Sequence, residues 1–134
     1  MKLSIITACR NNVATLASAL DSLSRQQGAD YELLVQDGVS TDGTLDLLRE
    51  WEPRFNGRLR WVSEPDTGLY DALNKAIARA SGDLIALLHA DDILNADDVL
   101  ARWCAPFSED PTLDVVYADI RFIARDATTR DAPT

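Results

Sequence analysis

A chain of 134 residues is long enough for one domain with a buried core, and 46% hydrophobic against 26% charged residues is ordinary for a globular protein. Its 13 basic and 22 acidic residues leave a net charge of −9, which argues against nucleic acid or an anionic membrane as the main partner. The same excess repels a phosphate ligand unless a bound divalent cation intervenes. No apolar run approaches the ~20 residues of a membrane span. Cys9 and Cys104 make no CxxC motif, so a reducing cytoplasm is expected, with at most a peripheral membrane association.

In chain order, Leu3 to Ala8 reads as a buried strand, broken at Arg10-Asn11-Asn12, where Asn11 or Asn12 can cap a helix. That helix carries Val13, Leu16, Ala17, Leu20 and Leu23 at helical spacing, and Gly28 is placed to cap its end. Tyr31 to Gln36 is a second strand. A second helix with Leu45, Leu47, Leu48 and Trp51 ends at Pro53, and Leu59 to Ser63 is a third strand. Tyr70 to Ala80 is a third helix and Leu84 to Leu88 a fourth strand. A helix from about Asn95 to Phe107 precedes a fifth strand, Leu113 to Ile120. The tail 125–134 loses its apolar pattern and reads as frayed; residues 1–134 otherwise form a single domain.

Strands alternating with helices at this spacing predict a three-layer, doubly wound, mainly parallel α/β sheet, whose ligands bind beyond the carboxyl ends of the strands. The polar clusters fall there. Strand one ends in Thr7-Ala8-Cys9-Arg10, strand two in Asp37-Gly38, strand three in Glu64-Pro65-Asp66, strand four in His89-Ala90-Asp91-Asp92. If strand four lies on the far side of strand one from strands two and three, the switch point puts Asp91 and Asp92 in the crevice. Adjacent carboxylates at an apolar strand end call for a cation, and hard oxygen donors suit Mg²⁺ or Mn²⁺. A solvated loop with a helix cap is the plain alternative. Asp97 and Asp98 are helix-capping acids with no ligand role.

Several α/β chemistries drop out. No GxGxxG or GxxxxGK[ST] follows the first strand, no GxSxG elbow exists, and one histidine cannot build a His-based zinc cluster. A phospho-acceptor receiver domain would need acids after strand one, and only Asp66 could pose as its acceptor.

The stretches Ser4 to Asn11, Gln36 to Thr44, Glu64 to Lys75 and Ala80 to Asp92 together resemble the N-terminal, nucleotide-binding part of a family 2 glycosyltransferase of the GT-A fold. The resemblance covers Lys2 to Ile120. It implies transfer of a sugar from a nucleotide-diphosphate donor, a UDP-sugar by family habit, to a glycan, lipid-linked or other hydroxyl acceptor, with inversion and a divalent metal. On that pattern Asp91 holds the metal, and His89 and Asp92 flank the diphosphate and ribose. Asp37 accepts the ring N–H of a uracil-like base, and Asp66 and Asp71 are pocket residues.

Thr7 and Arg10 stand where they could line the nucleotide pocket, although Arg10 could equally face solvent. Lys75 could reach the diphosphate from a helix whose N-terminus favours anions, or be an exposed helical lysine. His89 stands where the family has Asp or Asn. The chain stops soon after the fifth strand, so no residue matches the family's general base. A non-catalytic nucleotide-binding module of the same fold is the alternative. An incomplete sheet also leaves an edge through which two copies could pair.

Overall fold

The computed structural model describes residues 1–110, 112, 121–123 and 129–131. Its sheet contains β1 (Lys2–Cys9), β2 (Asp30–Asp37), β3 (Leu59–Ser63) and β4 (Leu84–Leu87), all parallel in the order β3-β2-β1-β4. Four helices accompany it: α1 (Val13–Ser24), α2 (Thr44–Trp51), α3 (Leu69–Ala78) and α4 (Val99–Glu109). β2 and β3 lie to one side of β1 and β4 to the other, which meets the condition under which the switch point falls between β1 and β4.

Strand parity builds the layers. Leu3 and Ile5 of β1 and Leu33 and Val35 of β2 share one core with Leu16 and Leu20 of α1, Leu48 of α2 and Leu100 of α4. The alternate residues Ile6 and Leu34 face the other way and meet Ala76 of α3. β1 and β2 are covered on both faces, which is why they read as continuous apolar runs.

The α3 face also carries a buried carboxylate. Glu32, in mid-β2 and 2% exposed, accepts hydrogen bonds from Ser4 Oγ at 2.6 Å and Ser81 N at 2.7 Å. Lys2 Nζ and Arg60 Nη2 lie 3.6 and 3.3 Å from its Oε1. Burial pushes its pKa up, but the bonds from Ser4 and Ser81 and the charge of Lys2 outweigh burial and hold it at about 2. Gly82 follows because the chain passes hard against β1 here: a Cβ would lie 2.8 Å from both Lys2 O and Ser4 N.

Helix ends depart from expectation, because side chains distant in sequence do the capping. Asn12 occupies the N-cap of α1, but its Oδ1 turns back to accept from Arg10 N. Val13 N is instead satisfied by Asp42 Oδ2 at 3.2 Å, from the β2–α2 loop, and Asn12 N by Thr44 Oγ1 at 3.1 Å, from the first residue of α2. Gly28 does not cap α1, which ends at Ser24 with Arg25 as its C-cap.

α4 starts at Val99 rather than Asn95, since Gln26 Oε1, buried at the end of α1, accepts from Leu100 N at 3.0 Å. Asn95 to Asp98 are therefore turn residues, and Asp98 pairs with Arg102 at 3.2 Å. Pro53 lies within a 3₁₀ turn, Glu52–Phe55, that directly continues α2.

The expected fifth strand, Leu113 to Ile120, lies outside the described residues. Within the stretch 125–134, expected to fray, Thr129–Asp131 forms strand β6, which pairs antiparallel with β5 (Arg121–Ile123) in a separate two-stranded sheet. A hairpin needs no more than a short connection, so even a brief segment with little apolar pattern can pair with its neighbour. The other residues of that stretch lie outside the described ones. Among the described residues, no helix is long and apolar enough to cross a membrane.

Candidate functional site

Beyond the carboxyl ends of β1 and β2 lies a pocket of about 270 Å³, lined by Ala8, Cys9, Arg10 and Asn12 from the β1 side and Asp66, Gly68, Leu69 and Ala72 from the β3–α3 side. Gly38 lies between the two walls. A Cβ there would lie 2.8 Å from Asp66 Oδ2 and 3.5 Å from Arg10 Cδ. Absence of a side chain at Gly38 thus leaves Arg10 and Asp66 room to stand close together. Arg10 and Asp66, a donor and an acceptor, are the two expected site residues that line this pocket.

Asp37 does not line it. Its side chain is fully buried at the end of β2, and both oxygens are occupied. Oδ1 accepts from Ser40 Oγ at 2.5 Å and from the Cys9 thiol at 3.2 Å; Oδ2 accepts from Ser40 N at 2.9 Å and Ser63 Oγ at 2.8 Å. Burial raises its pKa, yet the Ser40, Ser63 and Cys9 bonds prevail and hold it below the ordinary range. In turn, burial and this anion push the Cys9 thiol far up, so Cys9 is a neutral donor. Asp37 ties the ends of β1, β2 and β3 together. Sequence reading missed Cys9 and Ser63 as its partners, although the pairing of Cys9 opposite Asp37 follows from the β1–β2 register.

The β3–α3 loop is braced from within. Asp66 Oδ1 accepts from Gly68 N at 3.0 Å and Asp71 Oδ2 from Thr67 N at 3.0 Å. Lys75 Nζ reaches back to Pro65 O at 2.8 Å and to Asp71 Oδ2 at 3.2 Å. Asp71 and Lys75 thus hold the loop that presents Asp66, and Lys75 is turned toward that loop. Two residues in the left-handed region, Asn11 (φ 55°) and Val39 (φ 59°), sit in the opposite loops. Those loops are stitched together by Asn11 N to Ser40 Oγ and Thr41 N to Asn11 Oδ1, each 2.8 Å.

At the switch point, Thr7 is buried, and its Oγ1 donates to Leu88 O at 2.7 Å, so it fastens the end of β4 to β1 rather than lining the pocket. The chain then closes a turn: Asp92 N donates to His89 O at 3.0 Å, and His89 N donates to Asp92 Oδ2 at 2.9 Å. Leu88 and Ala90 are buried, while His89 and Asp91 are exposed. Among the described residues no group of three His, Cys, Asp or Glu side chains converges on a cation position. One free carboxylate and one partly engaged carboxylate nonetheless suit Mg²⁺ or Mn²⁺, which are bound through one or two carboxylates and otherwise by substrate phosphates. A larger cavity of about 560 Å³ lies between α1, Trp51, Arg54 and Ile93 and includes none of the expected site residues.

A parallel sheet with its crevice at the β1/β4 switch point, bearing a pocket on one side and an acidic turn on the other, is the arrangement of a GT-A transferase domain. The chain belongs to the family described as "Glycosyl transferase family 2", whose model matches residues 4–132. It is 41% identical over 117 residues to a "PGL/p-HBAD biosynthesis glycosyltransferase" of Mycobacterium bovis (strain BCG / Pasteur 1173P2), covering 87% of this chain and 46% of that protein.

Among solved structures, it is similar to the mannosyltransferase PcManGT from Pyrobaculum calidifontis in complex with GDP-Man and Mn²⁺, with a TM-score of 0.76 and 30% identity over 83% of this chain and 33% of that one. It is also similar to S. aureus TarS 1-349 in complex with UDP-GlcNAc, with a TM-score of 0.74 and 26% identity over 81% of this chain and 32% of that one. The chain thus spans less than half the length of each of these proteins.

Proposed function

We propose that this chain is the donor-binding part of a metal-dependent, inverting glycosyltransferase that takes a nucleotide-diphospho-sugar, a UDP-sugar in the first instance. The observation that carries the reading is that the Arg10/Asp66 pocket, at the ends of β1 and β3, and the Asp91-Asp92 turn after β4 follow the carboxyl ends of strands of one parallel sheet, in a chain of family 2. Relatives of the same fold hold UDP-GlcNAc, or GDP-Man with Mn²⁺.

In this reading Asp66 Oδ2 accepts the ring N–H of the base and Arg10 donates to its carbonyl or to the ribose. Asp37 stays beneath them as the anchor of three strand ends, and Asp71 and Lys75 position Asp66. Thr7 holds the β4 end in place. Asp91 holds the cation, with His89 and the free oxygen of Asp92 beside the diphosphate and ribose. The cation supplies charge neutralisation for the departing diphosphate. The acceptor is a hydroxyl of a glycan or lipid-linked molecule, and its oxygen displaces the diphosphate at the anomeric carbon after losing its proton to a base. No residue of this chain is assigned as that base.

Calorimetric titration of UDP with and without Mn²⁺ tests the reading. Metal-dependent binding to the wild type that disappears in Asp91→Ala supports it. Absence of UDP binding by folded wild-type protein overturns it.

A further inference from the structure

Resting on the proposed donor site, we infer that Gln36, which does not line the Arg10/Asp66 pocket, is the positioning residue of the loop that presents Asp66. Gln36 is the last residue but one of β2 and is fully buried. Its side chain shares the α3 face of the sheet with Leu34, two residues back, whereas that of Asp37 points to the other face. These two neighbours grip the end of β3 from both faces. Asp37 Oδ2 accepts from Ser63 Oγ at 2.8 Å, and Gln36 Nε2 donates to Glu64 Oε1 at 2.9 Å. Arg79, the C-cap of α3, donates from Nη2 to Gln36 Oε1 at 2.9 Å. One buried amide thus joins the start of the β3–α3 loop to the end of the helix that follows it.

The chemistry of the two partners demands an amide between them. A guanidinium can only donate and a carboxylate can only accept, so an amide oriented one way serves both. A carboxylate at this position would keep Arg79 and repel Glu64. An apolar side chain would hold neither.

The grip passes to Asp66 along the backbone. Glu64 N donates to Asp37 O at 2.9 Å, so Glu64 is fastened to the end of β2 by main chain and side chain together. Pro65 follows with its φ fixed by the ring, and its carbonyl accepts from Lys75 Nζ at 2.8 Å. A single residue, a proline, therefore stands between the tethered Glu64 and the Asp66 carboxylate.

The test is calorimetric titration of UDP in the presence of Mn²⁺ on wild type, Gln36→Glu, Glu64→Ala, Glu32→Gln and the double variant Gln36→Glu/Glu64→Gln, each checked for folding by circular dichroism. Gln36→Glu sets two carboxylates against each other and should weaken UDP binding roughly tenfold, the size of one hydrogen bond to a charged group. The double variant exchanges donor and acceptor, keeps an acceptor for Arg79 and should regain wild-type affinity. Glu64→Ala falls at a half-buried side chain and removes the tether alone, so it should lower affinity several-fold even if Gln36→Glu does not fold. Glu32→Gln loosens the same face of the sheet without touching the loop, and an unchanged UDP affinity there separates positioning from stability. Wild-type affinity in folded Gln36→Glu or in Glu64→Ala, a double variant as weak as Gln36→Glu, or an equal loss in Glu32→Gln overturns the role of Gln36 and leaves the donor-site reading standing. Absence of UDP binding by folded wild-type protein overturns both.

Discussion

Gly38 and Asp66 approach so closely that a methyl group on Gly38 would lie 2.8 Å from Asp66 Oδ2. Gly38 adopts no left-handed backbone angle, so the constraint is one of space. The atom in the way is the far end of a side chain, tethered by Gly68 N on its other oxygen. Gly38→Ala should therefore displace the Asp66 carboxylate and weaken UDP binding while costing only about 1 kcal/mol of stability, the low end for overpacking. Urea melts and calorimetry on the same variant separate the two effects.

Asp37 is surrounded by donors from four groups, which leaves no role for a donor in its place. Asn at this position would point an NH₂ at Ser40, Ser63 or Cys9 and leave at least one of them unpaired. Asp37→Asn should destabilise the fold by about 2–3 kcal/mol, as expected for losing buried hydrogen bonds to a charged group. The wild-type contribution is present above the ordinary aspartate range and disappears as pH falls through the depressed native value. A urea denaturation series from pH 7 to pH 2 measures both.

Glu32 gives a second acid-sensitive term, on the other face of the sheet. Its native pKa of about 2 lies below the ordinary 4.5, so its stabilisation is complete above pH 4.5 and is lost between there and pH 2. A shift of that size corresponds to about 3 kcal/mol at neutral pH. Glu32→Gln should lower stability at pH 7 by about that amount and flatten the acid limb of the pH profile, leaving the Asp37 contribution. Equal slopes in variant and wild type would contradict this assignment.

Thr7→Val keeps the shape of the side chain and removes its bond to Leu88 O. The expected cost is about 1 kcal/mol for one buried hydrogen bond. Because Leu88 immediately precedes the acidic turn, Mn²⁺-dependent UDP binding should weaken as well, and the mutant melting curve read beside its titration checks both.

The four strands of the parallel sheet were legible because β1 and β2 are covered on both faces and read as apolar runs, while their order entered only as a condition that the structure meets. The acidic turn and the polar strand ends were legible too, since the topology places every strand end on one edge. The partners of buried polar groups were not. Glu32 takes its hydrogen bonds from Ser4 and Ser81, 28 and 49 residues away in sequence, and no local pattern announces such a pairing. A serine and a glutamate inside two adjacent apolar runs were the available sign. Helix starts were misread at Asn95 for a related reason: the cap of α4 comes from Gln26, not from its own flank. Lys75 shows the same limit, since spacing alone could not tell reach toward a ligand from reach back to Pro65.

The capping of α1 has a further consequence for how the chain matures. Its first turn draws on Asp42 and Thr44, which lie beyond β2. As the polypeptide leaves the ribosome, α1 has its residues in hand long before it has its cap. The start of α1 therefore gains these two bonds only after Asp42 and Thr44 have emerged, each worth about 1 kcal/mol to the helix start.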